Sequence, residues 1–324
     1  MKTATEKAPS KLILLGEHAV VYGQPAIAVP LREPSAEAVV TETSESEPVA
    51  VELKDFGLRW TRGEKAEAEE ILPFAHIVRS CIEDGGRMPG RGWKLSIRSD
   101  IPIGCGLGSG AAVSTAALRA IHRFFGFAIA PRELSALVYE TERMLHGTPS
   151  GIDNTVIATE RPVLFRKGED GEFIEPPAAP IFFVIGYTGK RHKTFAVVTE
   201  VAEARAADPE TYDGIFADIG EITRKGAAAF RAGAFAELGR LMDENHRLLE
   251  RLGVSSPELE RMVQAAQAAG ALGAKLSGAG RGGCMVALAP DAVVAGKLEE
   301  ALRRAGSVMT VTTGILRRKA AACG

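Results

Sequence analysis

The chain has 324 residues, of which 46% are apolar and 25% charged, the composition of a soluble globular protein with one large or two ordinary domains. Its 39 basic and 41 acidic residues leave a formal charge of -2, which excludes the basic surface of a nucleic-acid or anionic-membrane binder. The longest apolar runs, such as Ile181–Ile185, are strand length, and the N-terminal MKTATEKAPSK lacks the apolar core of a secretory signal. Four cysteines (Cys81, Cys105, Cys284 and Cys323) show no CxxC spacing, so neither a zinc site nor a disulfide framework is expected, and a reduced cytoplasmic compartment fits.

Taken in chain order, KLILLGEHAVVYG reads as a strand over residues 11–15 with a turn at Gly16. The alternation over residues 36–60 reads as hairpin strands, with its polar middle as the turn. Phe74, Ile77, Val78, Cys81 and Ile82 recur at helical spacing, and Trp93, Leu95 and Ile97 alternate as a strand does. That strand runs into IPIGCGLGSG, where Gly104, Gly106, Gly108 and Gly110 alternate along the chain. Val113, Ala117, Leu118, Ile121 and Phe125 then mark a helix ending at Gly126, and Pro131 opens another that Gly147 stops. The acidic, proline-rich residues 169–180 read as a linker between domains spanning 1–178 and 179–324. A strand (IFFVIGYTG), a helical region with a start at Ser256-Pro257, and two late strands (CMVALAP, MTVTTGILRR) complete an α+β pattern.

The chemistry gathers around glycine. A strand, a glycine-rich loop and a helix in that order make an anion site, because first-turn N–H groups lack intrahelical partners and glycine lets the backbone approach a phosphate. No GxxxxGK[ST] register runs through the loop, so it is not a Walker A sequence. GAGRGG, residues 278–283, matches GxGxxG, but a helix precedes it and a strand follows, the inverse of a dinucleotide site. Glu142 and His146 stand four apart on one helical face, a spacing that can serve a metal pair but more often makes a surface salt-bridge or hydrogen-bonded pair. Asp153 follows a Pro-Ser-Gly turn and reads locally as a helix cap or as a functional acid. Lys11 alone reads as a solvated strand lysine, and His18 as a loop histidine.

Four segments in order change these readings. APSKLILLGEHAVVYGQPAIAVPL (8–31), IPIGCGLGSGAAVSTA (101–116), ERMLHGTPSGIDNTV (142–156) and KLSGAGRGGCMVAL (275–288) together resemble the GHMP kinase superfamily, and the third narrows this to the mevalonate kinases. The resemblance implies a ribosomal-S5-like N-terminal domain and a ferredoxin-like C-terminal domain, with ATP and substrate held between them. It implies ATP-dependent phosphorylation of the 5-hydroxyl of mevalonate, with Mg²⁺ as cofactor; a homodimer is left open, since the sequence does not show the oligomeric state. Carried over by position, Asp153 matches the catalytic base and Lys11 the lysine beside it. Gly104, Gly106, Leu107, Gly108, Ser109 and Gly110 match the ATP-binding loop. Glu142, with Ser109, matches the metal-binding set, and Glu17, His18, Ser150, Gly278 and Ala279 match the substrate contacts.

Two positions depart from the pattern. The family usually has two serines where this chain has Ser109-Gly110, the second reaching magnesium, and it commonly has glycine where this chain has Arg281. Arg281 is expected to add a cation near the phosphate or substrate end. Lys190-Arg191-His192-Lys193 is a candidate for the substrate carboxylate, beside its reading as a solvated turn. Alternatives left open are a related small-alcohol kinase, a decarboxylase of a mevalonate derivative, and a non-catalytic sensor of ATP or metabolite.

Overall fold

The computed structural model describes residues 1–83, 88–146, 149–169, 171–190 and 194–315. Two compact units emerge, and neither is a continuous stretch of chain. The first holds residues 1–10, 34–101 and 108–159; the second holds 11–33, 102–107 and the chain from Glu160 onward. Strands β1 (Thr3–Leu15) and β2 (Ala26–Glu42) are long enough to lend residues to both. β1 begins eight residues before the strand read from the sequence, through a polar stretch whose alternate side chains Ala4 and Ala8 are buried.

In the first unit the chain continues through β3 (Ala50–Leu53), β4 (Leu58–Thr61), α1 (Leu72–Glu83) and β5 (Trp93–Ser99). The hairpin expected over residues 36–60 forms differently. β5 lies between β2 and β3, antiparallel to Ala36–Glu42 and parallel to Ala50–Leu53, and the true hairpin is β3–β4. Alternation shows that a strand exists but not which partner it takes. The central place goes to β5, which buries Trp93, Leu95 and Ile97 on one face.

Three helices complete this unit: α2 (Ser109–Phe125), α3 (Pro131–His146) and α4 (Ile152–Thr159), each packed on the other two. Their closeness follows from composition, since the buried face of α2 carries Ala111, Ala112, Ala116, Ala117 and Ala120. α2 stops as predicted at Gly126, whose φ of 78° ends the last turn, and Trp93 packs edge-on to Phe125 at 5.6 Å.

The second unit adds β6 (Val163–Phe165), which pairs with Ala26–Ala28, and β7 (Glu172–Phe173), which pairs with β6. β7 falls inside the stretch read as a linker, so residues 172 and 173 are part of a sheet. Next come β8 (Phe182–Tyr187), α5 (Thr194–Ala207), α6 (Pro209–Ala232), α7 (Phe235–Arg251), α8 (Pro257–Ala268), β9 (Gly273–Ser277), β10 (Cys284–Ala289), α9 (Ala292–Arg304) and β11 (Met309–Thr313). The last four strands form an antiparallel sheet in the order β11-β8-β10-β9. Three of its helices, α6, α8 and α9, start on side-chain caps: Asp208 accepts from Thr211 N–H, Ser256 from Leu259 N–H, and Asp291 from Val294 N–H.

Candidate functional site

In the first unit, α2 opens on Gly108 at φ 74° with no side chain capping it. The first intrahelical bond there runs from Ala112 N–H to the Gly108 carbonyl at 3.0 Å. The N–H groups of Ser109, Gly110 and Ala111 therefore have no acceptor within the helix, and the positive end of its dipole stands with them. Gly110 has helical backbone and is absent from the described positive-φ positions, so its conformation does not require glycine.

Glu142 is buried on α3, Asp153 is half-buried in the first turn of α4, and Ser150 is exposed just before that turn. Gly151 rather than Asp153 precedes the helix, so the helix-cap reading of Asp153 does not hold. The chain neighbour of each carboxylate is fixed by a buried polar contact. Thr141 donates to the Val138 carbonyl at 2.7 Å and sits 3.1 Å from Ser114 Oγ of α2. Asn154 donates through Nδ2 to the Ser135 carbonyl at 3.1 Å and to Ser135 Oγ at 2.9 Å. Ser109, Glu142 and Asp153 thus stand on three mutually packed helices with their registers pinned. His146 ends α3 with its side chain outside the described residues, so the Glu142–His146 pair is not described.

In the second unit, Lys11 is 3% exposed, not a solvated strand lysine, and its amide donates to the Leu107 carbonyl of the glycine loop at 3.0 Å. That loop meets the segment after β9 backbone to backbone: a Cβ on Gly106 would stand 3.0 Å from Gly278 Cα. The structure also brings Glu17 and His18 into the interior. His18 Nε2 donates to the Ala279 carbonyl at 2.9 Å, and since a carbonyl only accepts, the neutral ring keeps a lone pair on Nδ1. Burial holds the pKa of His18 below the ordinary imidazole range, the Ala279 bond working the other way. Its backbone is strained, at φ 60° and ψ −51°.

Glu17 pairs with Lys275 of β9, both almost wholly buried, and Lys275 also donates to the Leu276 carbonyl at 2.7 Å. Burial raises the pKa of Glu17, opposed by Lys275 and then by Lys11. Lys11 also acts on Cys105, whose thiol is lowered chiefly by its bond to Cys284, whereas burial pushes the Cys284 thiol up. Both thiols are free, as is Cys81, which burial raises to about 12. Cys323 lies outside the described residues.

The extra cation of the GAGRGG segment is held by groups of the protein itself. Arg281 sits at φ 56°, its guanidinium pairs with Glu200 of α5, and its Nε donates to the Gly253 carbonyl at 3.2 Å. Lys190 pairs with Glu258 at 2.7 Å, which holds that carboxyl at about 2; Arg191, His192 and Lys193 lie outside the described residues. Among the described residues, His246, Glu250 and Glu260 bring their donor atoms within 4.8 Å of one another. His246 Nδ1 accepts Leu276 N–H at 3.3 Å, so its proton is on Nε2, 3.1 Å from Glu260 Oε1. A nitrogen that carries a proton has no lone pair for a metal, so His246 as it stands offers none to this cluster. Sequence reasoning missed Lys275, Thr141 and Asn154; only their adjacency to motif residues signalled them.

Comparison with known proteins places these features in a family. A model of the GHMP kinases N-terminal domain matches residues 74–160, and one of the GHMP kinases C-terminal region matches residues 227–308. The mevalonate kinase of Thermococcus sibiricus is 37% identical over 324 residues, covering 94% of each chain. The crystal structure of L. major mevalonate kinase in complex with R-mevalonate superposes with a TM-score of 0.84 at 26% identity, covering 96% of this chain and 95% of that one. The Methanococcus jannaschii mevalonate kinase gives 0.84 at 27% identity over 97% and 98%. No helix among the described residues is long and apolar enough to cross a membrane.

Proposed function

The chain belongs to the GHMP kinases and, within them, to the mevalonate kinases, and from that premise we propose that it transfers the γ-phosphoryl group of ATP to the 5-hydroxyl of mevalonate. The observation that carries this reading is the uncapped start of α2 behind a glycine loop, with two acids on the helices packed against it. Phosphoryl transfer is catalysed mainly by positioning and charge neutralisation, and these parts supply both. Donors aimed at phosphate come from the segment Gly104, Gly106, Leu107, Gly108, Ser109 and Gly110. Lys11 stabilises charge on the transferring group. Asp153 takes the proton of the 5-hydroxyl as its oxygen attacks phosphorus, the bond to the ADP oxygen breaks, and ADP and 5-phosphomevalonate leave.

Glu142 and Ser109 offer the hard oxygen donors that Mg²⁺ favours, and both stand on packed helices of one unit, so this donor set fits that ion. When bound, Mg²⁺ neutralises phosphate charge. Mevalonate falls to Glu17, His18, Ser150, Gly278 and Ala279, with His18 Nδ1 available to accept from a hydroxyl. ADP release measured with mevalonate, galactose, homoserine and phosphomevalonate tests the reading. Turnover with mevalonate is expected; turnover with another of these and none with mevalonate would reassign the substrate, and none with any would favour a sensor.

A further inference from the structure

Lysine is almost never fully buried without a partner, because the ammonium group loses its water. Lys275 has no solvent exposure, and the carboxylate it meets, Glu17, is equally buried. The strand explains how it gets there. On β9, Ala274 and Leu276 join the apolar core, so the period of two turns Lys275 and Ser277 to the opposite face. Both reach the end of β1 and the turn beyond it: Ser277 Oγ donates to the Ile13 carbonyl at 3.3 Å, and Lys275 Nζ meets Glu17 Oε1. A third tie follows where His18 Nε2 donates to the Ala279 carbonyl, and a fourth where Gly16 N–H donates to Asn245 Oδ1 at 3.2 Å.

These ties surround His18, whose positive-φ backbone persists only where its surroundings over-determine it. Glu17 is the residue before it. From this arrangement we infer that Lys275 is a positioning residue for the phosphorylation reaction: by holding Glu17, it fixes the Gly16–His18 turn that presents its side chains to mevalonate. The inference rests on the substrate role proposed for Glu17 and His18. Lys275 itself touches neither substrate; it acts through Glu17. The free oxygen strengthens the case, since Glu17 Oε2 is buried without a hydrogen-bond partner while Lys275 occupies Oε1. One oxygen is anchored, and the other is left as an unpartnered acceptor in the interior.

The test begins with wild-type turnover of mevalonate, because its absence would defeat the functional reading and not this one. Given an active wild type, Lys275→Met, Glu17→Gln and the double variant are compared by steady-state kinetics and circular dichroism. Folded Lys275→Met should raise KM for mevalonate by about tenfold or more while KM for ATP moves by less than about twofold. Glu17→Gln should give the same split, and the double variant should be no worse than the poorer single, since the two act as one unit. A lowered melting temperature with both KM values unchanged would make the pair structural only and overturn the inference. Should Lys275→Met not fold, the double variant, which removes the charges together, decides by the same split. If no variant folds, the pair serves folding and the inference fails.

Discussion

Replacing Gly106 with alanine isolates the close approach of the glycine loop to the segment after β9. Gly106 sits at φ 83°, and a Cβ there would stand 3.0 Å from Gly278 Cα and 3.2 Å from the Ser277 carbonyl oxygen. A left-handed backbone costs an L-residue about 1–2 kcal/mol. The neighbours are backbone atoms that cannot swing aside, and such overpacking adds about 1–3 kcal/mol. The sum is about 2–5 kcal/mol. Gly126→Ala is the control: φ is 78° and nothing lies within 4 Å of the added carbon, so only the conformational cost applies. Urea unfolding followed by circular dichroism compares the two, with KM for ATP as the local readout. Gly106→Ala should be the less stable protein, or should relieve the contact by moving the loop and so raise KM for ATP. Equal stability and equal KM for ATP in the two variants would refute the contact argument.

Asp153→Asn keeps the shape and removes the proton acceptor, so kcat should fall by about two to four decades with KM for ATP little changed; more than a tenth of wild-type turnover would remove Asp153 as base. His18 and His246 both have pKa values lowered by burial, so each folds neutral. Above an ordinary imidazole pKa of 6.5 both states are uncharged, and below it the unfolded chain takes up protons that the folded one refuses. Stability should therefore fall as pH drops below about 6.5, by up to about 1.4 kcal/mol per pH unit for each histidine; a flat urea midpoint between pH 7 and 5.5 would contradict it. Gly110→Ser adds a hydroxyl to the first turn of α2, where the backbone tolerates it, and should lower the free Mg²⁺ needed for half-maximal rate by about fivefold, the worth of about 1 kcal/mol. Coincident Mg²⁺ activation curves would exclude a metal role for that position.

The strand, glycine loop and helix over residues 93–125 were legible because periodicity and glycine each carry local physics. So was the start of α8, since Ser256 and Pro257 are a cap and a first-turn proline. What escaped was set by distant partners. Lys275 in KLSG and Lys11 in SKLIL look like surface lysines, because nothing within several residues supplies the charge or packing that buries them. The ion pair of Arg281 was equally invisible, since its partner Glu200 lies 81 residues away. The β2–β3 hairpin was misread for the same reason, since β5 enters from 40 residues downstream to separate the two strands.

Residues 11–33 belong to the second unit, and one of their partners comes late in the chain, since Leu31 bridges to Ile315. On the ribosome, chain growth at roughly 5–20 residues per second puts roughly 15–60 s between the emergence of these two residues. All of the first unit has been made by Thr159, so it can gather before residues 11–33 have met all their partners, among them β6 and Ile315. Apolar surface left without its partner during that interval is prone to aggregation. Slower elongation lengthens the interval, and a chaperone that takes up apolar N-terminal segments would shorten its consequences.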